Sequence, residues 1–259
     1  MYDWISLTTD YGRADGFVAA CHGAIAKISP GVRVIDVTHE IPPGDVSRGA
    51  AVLAQTVGDL PPAVHVAVVD PGVGTARRAV AVRTPGGVLV GPDNGLLIWA
   101  ADALGGPVSA VELRDPAWLA PVVSPTFHGR DVFAPTAARL AAGFPLRSAG
   151  PAVDVATLVR LPDPVARSGD GWIEAEVLTV DHFGNVQLAA RSPAPLGAAS
   201  AVLVSGTPVV RGATFADAPP GGLVLLVDSA GHLALAANGA RADTTLAVTP
   251  GDVLRITLP

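Results

Sequence analysis

The chain has 259 residues, enough for one large domain or two modest ones with real cores. Apolar residues make up 49% and charged ones 15%, which excludes a largely disordered chain, and a formal net charge of −6 with Lys27 as the sole lysine argues against a nucleic-acid partner. Cys21 is alone, so neither an internal disulfide nor a Cys-rich metal site is expected, and no apolar run is long enough to span a membrane.

The first strand is expected over 4–9, ending in the polar LTTD. No basic segment or long apolar stretch precedes it, so a secretory leader is not expected and a cytoplasmic location is. DYGRADG at 10–16 then opens a helix over 15–28. Asp10 can accept both hydroxyls of a ribose, and Asp15, near the helix start, can bind an ammonium. The plainer alternative is that both carboxylates cap exposed backbone N–H groups. A strand at 33–37, a helix at 46–58 and a strand at 64–69 follow. HVAVV at 65–69 has the continuous apolar character of a central strand covered on both faces.

DPGVGTARR at 70–78 comes next. Pro71, Gly72 and Gly74 make a tight turn that lets backbone approach a ligand closely. It is no dinucleotide fingerprint, because Arg77 occupies the third glycine position, and it is not a P-loop. A hairpin turn with a solvated Asp–Arg pair is the competing reading. Strands at 79–83 and 88–90, the turn GPDNG at 91–95, a helix at 95–103 and a strand at 109–113 continue the alternation. Asn94 in that turn is a candidate hydrogen-bonding residue. TFHGRD at 126–131 places His128 just before a helix over 131–142. The alternation predicts a layered α/β domain over 1–160, a three-layer αβα arrangement on a mostly parallel sheet.

The Pro/Gly/polar stretch 161–171 suits a linker. Short strands are then expected at 173–180, 186–190, 201–205, 208–211, 223–228, 233–237 and 253–258 without intervening helices, which predicts an all-β barrel domain over 172–259. DHFGN at 181–185 interrupts it with an acid, an aromatic and an amide. Asp181 can hold an amine, Phe183 can stack on a base and Asn185 can read a base edge, although a plain hairpin turn fits the same spacing.

Asp70, Arg77 and His128 are a carboxylate, a cation and a titratable ring in Gly-rich loops after apolar strands, where ligands of open α/β sheets bind. Together they can activate water, which points to a small-molecule hydrolase. No G-x-S-x-G excludes a nucleophile elbow, and the six histidines show no metal-ligand spacing, so no metal is expected.

LTTDYG–DGFV at 8–18, DVTHEIPP at 36–43, VVDPGVGTARR at 68–78, GPDNGLL at 91–97, TFHGRDVFAP at 126–135, DHFGN and the segment from Phe215 to Gly239 together resemble the S-adenosyl-L-methionine (SAM) hydroxide adenosyltransferase family, related to the fluorinase and chlorinase. The resemblance spans nearly the whole chain. It implies hydrolysis of SAM, as substrate and with no cofactor, to adenosine and L-methionine. It also implies a homotrimer with each site between the N-terminal domain of one subunit and the barrel of its neighbour. The family's water-activating set maps onto Asp70, Arg77 and His128. Asp10 would hold the ribose hydroxyls with Asn94 nearby, and Asp15, Asp181 and Ser229 the methionine end. Phe183 and Phe215 would flank the adenine, with Asn185 bonded to it and the backbone at Ala237 and Gly239 close by.

Against the halogenases of the same fold, Asp70 replaces part of a Tyr-containing motif. His128-Gly129 stands where the fluorinase has Tyr-Ser, and no extra loop separates the 79–83 strand from GPDNG. Ala230 stands where those enzymes carry an Arg, and Phe17 and Gly44 replace a Ser and a Trp. A halide-using enzyme and a non-catalytic SAM or adenosine sensor are the alternatives. Between Asp70 and His128 the proton acceptor is left open.

Overall fold

The run Ala63–Val69 has no polar side chain but His65, so it can persist only where both faces are shielded from water. In the computed structural model, which describes residues 1–259, it does so inside the first of two units, Met1–Leu161 and Pro162–Pro259. The first unit runs β1 (Trp4–Thr9), α1 (Phe17–Ile28), β2 (Arg33–Thr38), α2 (Val46–Thr56), β3 (Ala63–Val68), β4 (Ala79–Arg83), β5 (Gly87–Pro92), α3 (Ile98–Ala103), β6 (Ser109–Glu112), α4 (Ala134–Ala141) and β7 (Ala152–Val153). Val64, Val66 and Val68 enter one core with Cys21 and Ile25 of α1 and Ala134, Ala137 and Ala138 of α4. Ala67 and Val69 enter another with Ala50 and Leu53 of α2 and Ile98 and Ala101 of α3.

The sheet order is β2-β1-β3-β5-β4-β6-β7. Its first half, through β5, is parallel, and the pairings of β4, β6 and β7 are antiparallel. The sheet is therefore parallel-rich but mixed. β4 and β5 are joined only by Thr84, Pro85 and Gly86, far short of the dozen or so residues a parallel crossover needs. In the parallel half, Thr9 of β1 lies beside Val68 of β3, so the chain leaves both strands at the same end, first into Asp10 and then into Asp70.

His128 does not lead straight into an α-helix. Gly129–Phe133 forms a π-helical turn before α4, with the Ala134 N–H reaching back to the Gly129 carbonyl. Pro135, which has no N–H, follows at once and cannot supply the next ordinary bond. Single π turns of this kind recur at functional sites.

The second unit comprises β8 (Ala166–Gly169), β9 (Trp172–Val180), β10 (Val186–Leu188), β11 (Ala201–Val204), β12 (Thr207–Arg211), β13 (Leu223–Val227), β14 (Leu233–Ala237), α5 (Ala242–Leu246) and β15 (Val253–Thr257). Seven strands in the order β10-β14-β13-β12-β11-β15-β9 close into a barrel through the β9–β10 pairing. Ile173, Ala175, Val177 and Thr179 of β9 point inward, alternating with more exposed neighbours. Residues 166–169, in the stretch expected to be a linker, instead pair with β9 as a short strand. No helix of the chain is long and apolar enough to cross a membrane.

Candidate active site

Asp70 follows β3 with only Val69 between them, and the turn after it folds back so that Arg77 meets it. Arg77 Nε donates to Asp70 Oδ1 at 3.1 Å, and Nη2 donates to Asp70 Oδ2 in a short second bond. The pair is almost wholly buried, with side chains 8% and 5% exposed, so the expected competing picture of a solvated hairpin pair does not hold. Nη2 also donates to His128 Nδ1 at 3.0 Å. A guanidinium has no acceptor, so Nδ1 must be the acceptor, and the neutral ring carries its proton on Nε2. Arg77 thus ties together the three residues singled out from the sequence. Its Nη1 is buried without a partner, and its guanidinium carbon lies 5.5 Å from the centre of the Phe133 ring.

Burial, reinforced by the Arg77 charge and only partly offset by Asp70 and Asp131, lowers the His128 pKa below its ordinary value. The ring is therefore neutral at neutral pH. Asp131 supports the His128 segment by accepting from Arg130 Nε and Nη2 and from the Ser124 N–H. Burial opposes its ionisation, but the Arg130 and Ser124 hydrogen bonds outweigh it and hold this carboxyl low.

Asp70 and His128 line a cavity of about 210 Å³ together with Asp10, Tyr11, Thr126 and Gly129. Asp10 Oδ2 accepts from the Gly44 N–H at 2.9 Å, which leaves Oδ1 for a ligand. The Asp10 loop is itself held by His39, whose Nδ1 lies 2.8 Å from Thr9 Oγ1 and whose carbonyl accepts from the Gly12 N–H. Asp15 lies exposed in the loop before α1, and Gly16, not Asp15, is the cap of that helix. Asn94 does not line the cavity. Its amide donates to the Val69 carbonyl and accepts from the Leu96 N–H, which fixes the residue before Asp70.

Tyr11, Thr126 and Gly129 line the cavity without having been singled out as site residues. Tyr11 was easy to miss because an aromatic just after an apolar strand reads as core. The available signal was its place between Asp10 and Gly12 in a polar turn, which no core residue needs.

Within the barrel unit, Asp181 Oδ1 accepts from the Phe183 and Asn185 N–H groups, and Oδ2 accepts from Asn185 Nδ2. These bonds are those of the hairpin-turn alternative, and they raise Phe183 into solvent at 71% exposure. The Ala242 and Asp243 N–H groups bond the Gly184 carbonyl, which brings this turn beside the chain that follows Ala237 and Gly239. Phe215, 52% exposed, precedes Ala218, whose carbonyl accepts from Asn238 Nδ2. Phe183, Asn185, Phe215, Ala237 and Gly239 therefore gather at one end of β14. Ser229 lies exposed in the turn at its other end, where Asp228 accepts from the Ala230 and His232 N–H groups.

The model of the SAM hydroxide adenosyltransferase N-terminal domain matches residues 5–150, and that of the C-terminal domain matches residues 175–255. The chain is 65% identical to a protein of Salinispora arenicola named (R)-S-adenosyl-L-methionine hydrolase, over 98% of this chain and 97% of that one. It is 32% identical to a fluorinase of an Actinoplanes species, over 91% of each. A crystal structure of a conserved protein from Thermotoga maritima superposes with a TM-score of 0.91 at 32% identity, covering 98% of this chain and 99% of that one. The same two-part match, end to end, means that this chain belongs to the SAM hydroxide adenosyltransferase family.

Proposed function

We propose that the chain is a SAM hydrolase, which cleaves SAM to adenosine and L-methionine by attack of an activated water at the ribose C5′. The observation that carries this reading is the buried Asp70–Arg77–His128 cluster, with Asp70 and His128 on the wall of a cavity. The leaving group is a neutral thioether, so departure needs no general acid. The difficulty lies in the nucleophile, since free water has a pKa of about 15.7.

We assign the proton to Asp70. His128 Nδ1 is occupied by Arg77 and Nε2 already bears hydrogen, so the neutral ring has no free lone pair for it. Asp70 keeps a lone pair on each oxygen beyond those facing Arg77. Arg77, bonded to both Asp70 and His128, sets a fixed positive charge behind the two residues that line the cavity, which stabilises the forming hydroxide.

Asp10 is assigned to the ribose hydroxyls, with Asn94 bracing the strand end nearby. Phe183 and Phe215 are assigned to the adenine faces, with Asn185 and the backbone at Ala237 and Gly239 on its edge. Asp15, Asp181 and Ser229 are assigned to the methionine end. The family supports a homotrimer with each site shared between subunits, and the two exposed barrel aromatics suit that arrangement. We further read residues 1–160 as a three-layer αβα domain, joined by a short connection before β8 to the barrel domain of a cytoplasmic enzyme. No metal or cofactor is assigned, because SAM is itself consumed.

Incubating purified protein with SAM and separating the products by chromatography tests the reading. Equimolar adenosine and methionine are expected. Unchanged SAM, or 5′-chloro-5′-deoxyadenosine when chloride is in excess, would count against it.

A further inference from the structure

We propose that Tyr11 sets the size of the nucleophile this site admits, its phenol tip closing the cavity beside His128 so that only water fits. The inference rests on the hydrolase reading above. Tyr11 and Gly129 line the same cavity as Asp70 and His128. A Cβ at position 129 would lie 2.2 Å from Tyr11 Oη, 3.0 Å from Cζ and 3.1 Å from Cε2. The phenol therefore occupies the space that any side chain following His128 would fill. Gly129 has no left-handed φ to explain it, so close approach is what requires glycine here.

Neither wall can retreat cheaply. Gly129 starts the π-helical turn, whose bond from Ala134 fixes its carbonyl. The Tyr11 ring is packed against Phe127 and Phe17, with centroids 5.6 and 6.0 Å away. Burial, with the fields of Asp10 and Asp70 adding to it, drives the phenol pKa upward, so the tip is a neutral hydroxyl. It bounds the cavity by bulk and contributes no charge.

If Tyr11 is shortened, a larger nucleophile gains room at C5′. Azide is a suitable probe. Its terminal nitrogen forms the new bond to C5′ as the C5′–S bond breaks, and the electron pair of that bond goes to sulfur. The products are 5′-azido-5′-deoxyadenosine and methionine, and no proton is transferred.

The experiment incubates wild type, Tyr11→Phe and Tyr11→Leu with SAM and excess sodium azide, and measures the ratio of azido product to adenosine by liquid chromatography and mass spectrometry. The ratio is expected to rise by roughly tenfold or more in Tyr11→Leu, the scale on which pocket volume discriminates, with a smaller rise in Tyr11→Phe. A merely structural Tyr11 would lower total turnover without moving this ratio. An unchanged ratio in the folded variants overturns the proposal, and Tyr11→Phe decides it should the leucine variant fail to fold. Wild type that releases no adenosine from SAM would instead refute the hydrolase reading, an outcome visible before any variant is made.

Discussion

A methyl group on Gly74 would lie 2.3 Å from the carbonyl oxygen of Pro125, and Gly74 itself has a φ of +76°. The turn carrying Asp70 and Arg77 thus rests backbone to backbone on the segment carrying His128. This contact sets how near the two loops come. Gly74→Ala is expected to cost about 1–3 kcal/mol in backbone strain, before any steric cost. It should also lower turnover by pushing Arg77 away from His128. Thermal melts and kcat measured side by side test this; an unchanged Tm with full activity would refute it.

Removing either member of the Arg77–Asp70 pair strands a buried charge, a loss of about 3–5 kcal/mol in such settings. Arg77→Ala and Asp70→Ala should each also cut turnover roughly 10²–10⁴-fold, the usual contribution of a positioned base. SAM affinity should stay within about tenfold, or ~1.4 kcal/mol. Urea melts should show the double variant less destabilised than the sum of the singles. Additive losses would mean that the two side chains do not support each other.

Asp10 should affect binding before chemistry. Losing a charged acceptor for the ribose costs about 1.5–3 kcal/mol, so KM for Asp10→Ala should rise by one to two decades while kcat changes much less. Asp10→Asn keeps an acceptor for the Gly44 N–H, which separates loop support from ribose binding. Equal losses of kcat in both variants would move Asp10 into the chemical step.

Two histidines, one in the site and one in the core, yield separate pH predictions. The depressed His128 pKa keeps the ring neutral below its ordinary value, so the acid limb of kcat should lie below about pH 6.5. A limb above that value would mean that the ring is charged near neutrality.

His65, buried in β3 with Nδ1 2.8 Å from Ser6 Oγ, is pushed down to about 4 by burial. Because its folded pKa lies below the unfolded one, its contribution is complete above about pH 6.5 and is lost as pH falls toward 4. Over that window the loss amounts to about 3 kcal/mol. Urea midpoints of wild type should fall across this range, and His65→Gln should flatten the fall. Parallel slopes would assign acid sensitivity elsewhere.

Much of this architecture was legible because hydrophobic period and turn chemistry agreed. The strands at 79–83 and 233–237 match β4 and β14 at both ends. β8 escaped notice because its sequence, ARSG, is polar and largely exposed along one side of β9, so it carries no apolar alternation. α5 is five residues, too short to display a helical period. The antiparallel half of the first sheet was signalled only by the shortness of the Thr84–Gly86 connection. In the site, Asp70, Arg77 and His128 stood out as polar residues in glycine-rich turns. Tyr11 stood out less, because an aromatic after an apolar strand reads as core and its contact with Gly129 joins positions far apart in sequence. The bonds that Asn94 and Asp181 make within their own turns were equally invisible, since such local contacts leave no mark in a sequence.

Closure of β9 onto β10 bears on how this half of the protein survives at high concentration. A ring of strands has no terminus at which a stray peptide can be templated, and its only fringe is the four-residue β8, too short and too polar to seed fibre growth. Clumping during expression or refolding should therefore originate in the other half, whose sheet is open along β2.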